Sequence, residues 1–160
     1  MARIIPNENT WIAFSATDPA DDTAPSSATD ISAATVLTGY VISINASSQG
    51  NTVPTPALDT KYETSTSGTV QASFQADFYR DDNTDLAWTT LDRGVTGVIY
   101  IARFGGTGTG GEPQSGEDVE VWPVEITSRT SGAMSSNTVQ TFTVTAAVPR
   151  EPQESATVAA

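Results

Sequence analysis

Ten consecutive residues, VQASFQADFY at positions 70 to 79, alternate between two kinds of side chain. Every second position, beginning at Val70, holds a valine, alanine or phenylalanine, and the positions between them hold glutamine, serine, aspartate or tyrosine. A period of two matches a β-strand, because successive side chains in a strand point to opposite faces of the sheet. The segment therefore predicts an antiparallel strand with one buried face and one solvated face.

Two later segments add detail to this pattern. Residues 97 to 104 are apolar on both faces, which predicts a central strand. Within residues 118 to 127 the apolar phase shifts between Val121 and Val124. Pro123 lies at the shift, and we expect a β-bulge there because proline in a sheet is confined to edges and bulges. Strands are also predicted at residues 11 to 16, 36 to 44 and 139 to 148.

Long polar stretches lie between and beyond the predicted strands. We expect residues 1 to 10 to form an N-terminal arm, residues 45 to 68 a long loop and residues 149 to 160 a C-terminal arm. No internal repeat divides the chain, so we expect a single domain over residues 1 to 160. Six strands with one short helix predict an all-β sandwich or barrel that carries the helix on its flank.

The absence of cysteine and histidine narrows the chemistry open to the chain. Disulfides and Cys/His zinc sites are excluded, and the commonest general base is missing. Nineteen acidic residues against seven basic ones give a net charge of −12, which opposes binding to nucleic-acid phosphates. No apolar run approaches the roughly twenty residues of a membrane span. We therefore expect no enzymatic activity, no cofactor and no membrane partner.

One acidic segment has the beginning of a calcium-binding pattern. Asp81-x-Asn83-x-Asp85 matches the first three ligand spacings of an EF-hand loop. The sixth position of that loop requires glycine, and here it is Leu86. The twelfth requires a bidentate glutamate, and here it is Asp92, so the pattern does not favour a calcium site.

The same segment is better explained as the start of a short helix. Asp82 or Asn83 would cap its free N–H groups, and Asp85 would lie in the first turn, where negative charge is favourable. Gly94 is expected to end the helix. One face of this helix would carry Ala87, Trp88 and Leu91, which are spaced by three and four residues.

The few cations are candidates for contacts between subunits, because seven cations among nineteen acids rarely stay unpaired. Arg80, Arg103 and Arg129 lie at or near the ends of predicted strands, where guanidinium–carboxylate pairs join neighbouring chains. A surface pair within one chain is the alternative, and such a pair contributes little to stability. The full candidate interface set is Tyr62, Arg80, Asp82, Arg103, Arg129 and Arg150.

Three longer stretches follow one another along the chain: FYRDDNTDLAWTTLDRGVTGVIYIARFGG, VEVWPVEITSR and VQTFTVTAAVPREPQESATV. Together they resemble the major tail proteins, or tail tube proteins, of long-tailed non-contractile bacteriophages of the siphovirus type, particularly those of actinobacterial hosts. The resemblance covers about residues 67 to 158. It rests on the order and spacing of the Arg80-Asp81-Asp82 turn, the helix with Trp88 and Leu91, and the two late strands.

The resemblance implies a structural virion protein with a β-sandwich fold, several copies of which assemble with one another. Six copies would form a ring with their sheets joined into an inner barrel, and rings would stack into a hollow tail tube. DNA would pass through the lumen to the host during ejection without specific binding. Residues 45 to 68 would then be an inter-subunit loop, and the terminal arms would also bridge subunits.

The resemblance also implies partners and a location. Besides copies of itself, the chain would meet a tape-measure protein and the tail tip and terminator proteins during assembly. It would be assembled in the cytoplasm of the host bacterium and would reside in the tail of the virion. The net charge agrees with such a role, because carboxylates around the bore would keep phosphates off the wall.

The residues themselves are compatible with two other functions. The Thr/Ser/Gly-rich composition allows a bacterial surface or carbohydrate-binding β-sandwich module, although no aromatic platform supports it. A small hydrolase that uses two carboxylates, such as Glu120 and Glu125, is the third possibility. These two glutamates are five residues apart and so fall on opposite faces of a regular strand.

Overall fold

A computed structural model describes residues 10 to 59 and 61 to 160, so the predicted N-terminal arm, apart from Thr10, lies outside the described residues. Within them the fold is mainly β with a short helix on its flank, as predicted. The strands are β1 (Trp11–Ser15), β2 (Thr35–Val36), β3 (Val41–Pro54), β4 (Ser65–Tyr79), β5 (Thr96–Ala102), β6 (Asp118–Ser131), β7 (Thr141–Ala147) and β8 (Gln153–Thr157). The α-helix, α1, is Leu86–Thr90.

The strands form one antiparallel sheet in the order β2-β1-β5-β6-β7-β4-β3. β6 links two parts of the sheet, because its first half pairs with β5 and its second half with β7. β8 pairs with the beginning of β6 on the side opposite β5. The central position of β5, between β1 and β6, confirms the prediction made from its two apolar faces.

The sheet folds over on itself to enclose a first hydrophobic core. The rings of Phe74 on β4 and Trp122 on β6 lie 6.4 Å apart across this core, and Phe78 stacks on Phe142 at 5.3 Å. α1 closes it with Ala87, which is fully buried. β1 and β3 border a cleft of about 580 Å³ without pairing, so the architecture is a sandwich rather than a closed barrel.

A second, smaller core lies on the opposite face of β1, β5 and β6. Trp11, Tyr100 and Val121 are buried in it. A helical turn, Ser27–Ile31, and the C-terminal residues cover this face with buried apolar side chains. Strands covered on both faces in this way carry apolar residues at nearly every position.

This arrangement corrects the expected bulge at Pro123. Val121 faces the second core and Val124 faces the first, so the apparent phase shift records burial on both faces. β6 pairs with β5 in regular register across Pro123. The bulge toward β7 lies instead between Ile126 and Ser128.

The segment 45 to 68, expected as a loop, is mainly a β-hairpin. β3 and β4 pair almost along their whole lengths, and only residues 55 to 64 connect them. Both faces of the outer part of this ribbon are exposed, so its sequence needs no apolar alternation. Backbone pairing between the two strands satisfies the N–H and C=O groups that a polar loop would leave to water.

The C-terminal segment 149 to 160 is likewise different from an extended arm. β8 forms within it and pairs with β6 of the same chain. Ala156 and Val158 are buried in the second core, at 1% and 2% exposure. The segment is therefore part of the fold of its own chain, because those two side chains complete a core that β1 and β5 leave open.

Candidate functional site

The six residues predicted for a subunit interface do not meet at one place. Arg80, Asp82 and Arg129 lie near α1, and Arg103 follows β5. Arg150 follows β7, and Tyr62 lies in the turn of the β3–β4 hairpin with 83% of its surface exposed. The predicted set is therefore spread over four regions of the surface.

Two arginines of the predicted set hold Trp88 on α1. The guanidinium carbon of Arg80 lies 3.9 Å from the centroid of the Trp88 ring, and that of Arg129 lies 3.7 Å from it. Arg129 also donates a hydrogen bond of 2.6 Å to the Trp88 carbonyl and pairs with Asp92 at 2.9 Å. The rings of Trp88 and Phe142 pack in a T-shaped arrangement with their centroids 5.1 Å apart, and this contact fixes the helix to the first core.

Asp85 has a different role from the predicted one in the first helical turn. It precedes Leu86 in the left-handed backbone region, with φ of 44°, and its side chain makes no helix-capping hydrogen bond. Its carboxylate instead accepts hydrogen bonds from the Arg80 Nε at 3.0 Å and from the Asp81 amide at 3.2 Å. Neither Asp82 nor Asn83 caps the helix, because α1 begins only at Leu86.

These contacts lower the pKa of the Asp85 carboxyl. Partial burial works to raise the pKa of this carboxyl, but the hydrogen bonds from Arg80 and the Asp81 amide outweigh it and lower the pKa below its ordinary value. The Asp85 oxygens are thus occupied by donors of the same loop. Within residues 10 to 59 and 61 to 160, no three acidic side chains are grouped to hold a metal ion.

The other two arginines are also paired within the chain. Arg103 donates to both oxygens of Glu120 on β6, with a distance of 3.1 Å from its Nη2 to Oε2, and the Arg103 pKa is raised by these bonds. Arg150 binds Asp18 at 3.1 Å and Asp22 at 2.7 Å, which ties the C-terminal segment to the loop after β1. Four of the six predicted residues therefore make contacts that the fold itself uses.

The most extended unpaired feature of the described structure is the free edge of β3. β3 pairs with β4 on one side, and no described strand pairs with its other side over Val41–Pro54. The run from residue 31 to residue 58 contains no charged side chain. Proteins that must stay monomeric usually protect such edges with charges, prolines or bulges. Here Pro54 lies at the far end, and the register toward β4 shifts between Val41 and Ser43 and between Gly50 and Thr52, which leaves residues 43 to 50 as a regular edge without charge.

A second free edge lies on the other side of the same four strands. β5 pairs with β6 only as far as Glu125. The last backbone contacts there are at Ile126, whose amide donates to the Val95 carbonyl and whose carbonyl accepts from the Gly94 amide. Residues 127 to 131 of β6 continue to pair with β7. Their other side has no strand partner in the described part of the chain. The unit β6-β7-β4-β3 is thus a sheet with an open edge at each end.

The β3–β4 hairpin extends beyond the sheet that carries it. β7 pairs with β4 only from Ser73 onward, so the outer part of β4 pairs with β3 alone. The apolar phase of β4 continues into this part as Val70, whose surface is 65% exposed. Sequence reasoning missed both the hairpin and the edge, although the 28-residue stretch without charge was a visible signal.

Comparison with known proteins agrees with this fold. A family model described as phage tail tube protein matches residues 1 to 160. A chain of the solved structure "Virion of native gene transfer agent (GTA) particle" superimposes with a TM-score of 0.59 at 14% identity, over 94% of this chain and 98% of that one. At this identity the likeness concerns the fold alone. No curated protein matches the sequence, and no helix of the described residues is long and apolar enough to span a membrane.

Proposed function

Because the chain belongs to the phage tail tube protein family, whose members are structural proteins of the tail, we propose that six copies form a ring and that rings stack into a hollow tube. In this ring the unit β6-β7-β4-β3 of each subunit joins that of the next, edge to edge. The DNA passes through the tube toward the host during ejection.

The two open edges of one sheet carry this proposal. A sheet with a free strand at both ends is able to add an identical sheet at each end, and such head-to-tail contacts close into a ring when the rotation allows it. The length of β3 and its lack of charge favour pairing, since the run from residue 43 to residue 50 is regular in register and has no charge that would repel an incoming strand. Residues 127 to 131 of the adjacent subunit supply the strand that β3 would meet.

The projecting hairpin supports the stacking of rings. It reaches beyond its own sheet and presents Val70 and Val53, which are 65% and 48% exposed in the described structure. Contact with a subunit of the adjacent ring would bury this apolar surface. Tyr62, at the turn of the hairpin, and the exposed Asp82 are the members of the predicted interface set for which we propose contacts between subunits.

The resemblance of the sequence to tail tube proteins supports three further proposals. The tail is non-contractile and of the siphovirus type, the host is an actinobacterium, and the chain is assembled in the host cytoplasm together with a tape-measure protein and tail tip and terminator proteins. Four arginines of the predicted set, Arg80, Arg103, Arg129 and Arg150, would shape the subunit rather than join two subunits.

Disulfide trapping tests the proposed ring, because the native chain has no cysteine. Asn45→Cys on β3 and Ser128→Cys on β6 lie at the two ends of one row of the sheet, three strand spacings or about 14 Å apart. A disulfide needs Cα atoms within about 7 Å, so the two cysteines of one subunit cannot join. Oxidation is expected to give a ladder of linked chains that stops at six.

The register between subunits is scanned by moving the first cysteine to Ser43 or Ser47, its neighbours on the same face of β3. The matched control combines Asn45→Cys with Thr84→Cys, which lies in the exposed loop before α1 and should give no ladder. A protein that remains a monomer at every concentration, with no ladder from any of the three registers, would refute the ring. Binding of a glycan by that monomer would favour a carbohydrate-binding module instead.

A further inference from the structure

The cleft between β1 and β3 has apolar walls that are partly exposed. Ile12 and Ile101 line it on the side of β1 and β5, and Ile44 lines it on the side of β3. Two further lining residues remain in contact with solvent, since Phe104 is 63% exposed and Ile42 is 44% exposed. Apolar side chains that are exposed together at one concave site are typical of a surface that binds a partner.

The cleft and the free edge of β3 share the same residues. Residues 41 to 44 line the cleft and also begin the edge with which no described strand pairs. Ile44 packs partly against the first core, so the cleft lies on the first-core side of the unit β6-β7-β4-β3. A strand that pairs with this edge therefore lies at the mouth of the cleft, and the structure attached to that strand decides what covers it.

The opposite edge of the unit carries a fixed structure on the same side. We call residues 86 to 96, from α1 to the first residue of β5, the shoulder. Ile126 holds its end through backbone hydrogen bonds with Gly94 and Val95. Arg129 holds its beginning through the hydrogen bond to the Trp88 carbonyl. Trp88 also packs against the first core, so the shoulder lies on the first-core side, beside the open edge of residues 127 to 131.

Strand pairing places the shoulder and the cleft at the same level of the sheet. Ile44, Ala76, Val144 and Arg129 form one row across the four strands. The row that begins in the wall of the cleft thus ends at the arginine that holds Trp88. When β3 pairs with β6 of the next subunit in line with this row, the shoulder of that subunit comes to lie beside the cleft.

We propose, on the basis of the ring proposed above, that the cleft is a docking site for a second copy of this chain and that the shoulder of the adjacent subunit covers it. The shoulder offers Trp88, which is half-buried and already held by Arg80 and Arg129 in its own chain. Tryptophan is enriched among the residues that carry binding energy, and a side chain that is already ordered loses little entropy on docking. Contact with the shoulder buries Phe104 and Ile42 of the cleft.

The charges of the two surfaces are compatible with this contact. Arg103 is the single charged side chain among the described residues that line the cleft, and Glu120 already binds it. On the shoulder, Asp92 pairs with Arg129. Docking therefore buries no carboxylate without a cation, which would be costly in a chain with a net charge of −12.

The docking also fixes the register between subunits. The outer half of β3 is polar and exposed on both faces, and strands of this kind specify their register weakly. A shift of two residues, about 7 Å along the strand, keeps the pattern of backbone hydrogen bonds but moves the shoulder away from the cleft. Backbone pairing thus supplies affinity, and the contact between shoulder and cleft selects one register.

Disulfide trapping between the two surfaces tests this contact. Phe104→Cys in the cleft is combined with Thr96→Cys at the exposed end of the shoulder. Within one chain the two positions lie at opposite ends of β5, whose seven residues span about 20 Å, and a disulfide needs Cα atoms within about 7 Å. Oxidised tubes are expected to give a ladder of linked chains that stops at six. Phe104→Cys with Ser136→Cys, at an exposed position between β6 and β7, should give no ladder.

Assembly of the protein without cysteines gives a second measurement. Phe104→Gln and Ile42→Gln replace exposed side chains, so the subunit is expected to keep its native Tm. The lowest concentration that yields tubes, measured by sedimentation, should rise about tenfold or more, because burial of a large apolar side chain favours the docked state by such a factor. Val36→Gln, 46% exposed on β2 and outside the cleft, is the matched control and should assemble at the native concentration.

The two measurements separate this docking from the ring. Absence of the ladder from Phe104→Cys and Thr96→Cys in intact tubes, or native assembly of both glutamine variants, would overturn the docking and leave the ring in place. A ladder that appears only after removal of residues 1 to 9 would assign the cleft to that segment of the same chain and would also overturn the docking. Failure of the native chain to form tubes would overturn the ring and the docking together.

Discussion

The guanidinium carbon of Arg129 lies 3.7 Å from the centroid of the Trp88 ring, and its Nη1 donates a hydrogen bond to the carbonyl of the same residue. One side chain thus holds both the ring and the backbone of α1. Arg80 lies 3.9 Å from the centroid of the same ring. A helix of five residues is too short to be stable alone, so these contacts and the buried Ala87 keep it folded.

Arg129→Lys is expected to lower the free energy of unfolding by about 1 kcal/mol, because an ammonium cannot stack on Trp88 and keep the bonds to Asp92 and the Trp88 carbonyl. The measurement is denaturant unfolding followed by tryptophan fluorescence. Arg93→Lys, at an exposed position between α1 and β5, is the matched control and should leave the stability unchanged. Equal stabilities for the two variants would show that the stacked arginine contributes nothing.

Gly97→Ala is expected to destabilise the fold strongly. A Cβ at this position on β5 would lie 2.2 Å from the Ser15 carbonyl oxygen and 2.7 Å from the Phe14 ring. Since β1 is a paired neighbour of β5, the backbone has to shift, at a cost of about 1–3 kcal/mol or more. Gly39→Ala, where nothing lies within 4 Å of the added Cβ, is the control. A Tm for Gly97→Ala equal to that of Gly39→Ala would contradict the close approach of β1 and β5.

Tyr100→Phe is expected to preserve or raise stability. The Tyr100 hydroxyl is buried in the second core and has no hydrogen-bond partner among the described residues. Burial, followed by the nearby Asp30, raises the pKa of this phenol, which therefore stays protonated. A buried hydroxyl without a partner costs about 1–3 kcal/mol, so its removal should raise the free energy of unfolding. A marked loss of stability in thermal unfolding would instead reveal a partner for the hydroxyl.

The pKa of Asp85 predicts how stability changes in acid. Its carboxyl has a lower pKa in the folded chain than the ordinary 3.8, so its contribution is complete above about pH 4 and is lost as the pH falls through the folded pKa. Asp85→Asn should therefore reduce stability at neutral pH and flatten the fall below pH 4. Asp82→Asn, at an exposed position of the same loop, should keep the native slope. Parallel curves for native protein and Asp85→Asn would argue against the Arg80–Asp85 bond.

The sequence predicted the parts of the fold in which burial differs between the two faces of a strand. Residues 72 to 79 alternate because one face packs in the first core and the other is turned away from it, whereas Val70 continues the pattern on the exposed part of the hairpin. Residues 98 to 102 are apolar at every position because β5 lies between two cores. Spacing alone placed Trp88 and Leu91 on one side of the helical segment, and both pack against the first core. The predicted end at Gly94 is wrong, because α1 ends at Thr90 and Leu91 already follows it.

The remaining features depend on contacts that a linear pattern does not contain. Pro123 suggested a bulge because alternate burial in two cores looks the same in sequence as a shift of phase in one. The outer hairpin was read as a loop because a ribbon exposed on both faces has no apolar period. The sequence left open whether the arginines pair within the chain or between subunits, because partners such as Asp22 for Arg150 lie far away along the chain.

The proposed ring depends most on the pairing of β3 in one subunit with β6 of the next, and a density map of the assembled tube tests this pairing directly. The expected map shows six subunits per ring and a continuous barrel in which part of β3 pairs with residues 127 to 131 of the adjacent copy. A ring in which β3 remains at a solvent-exposed edge would contradict the proposed pairing.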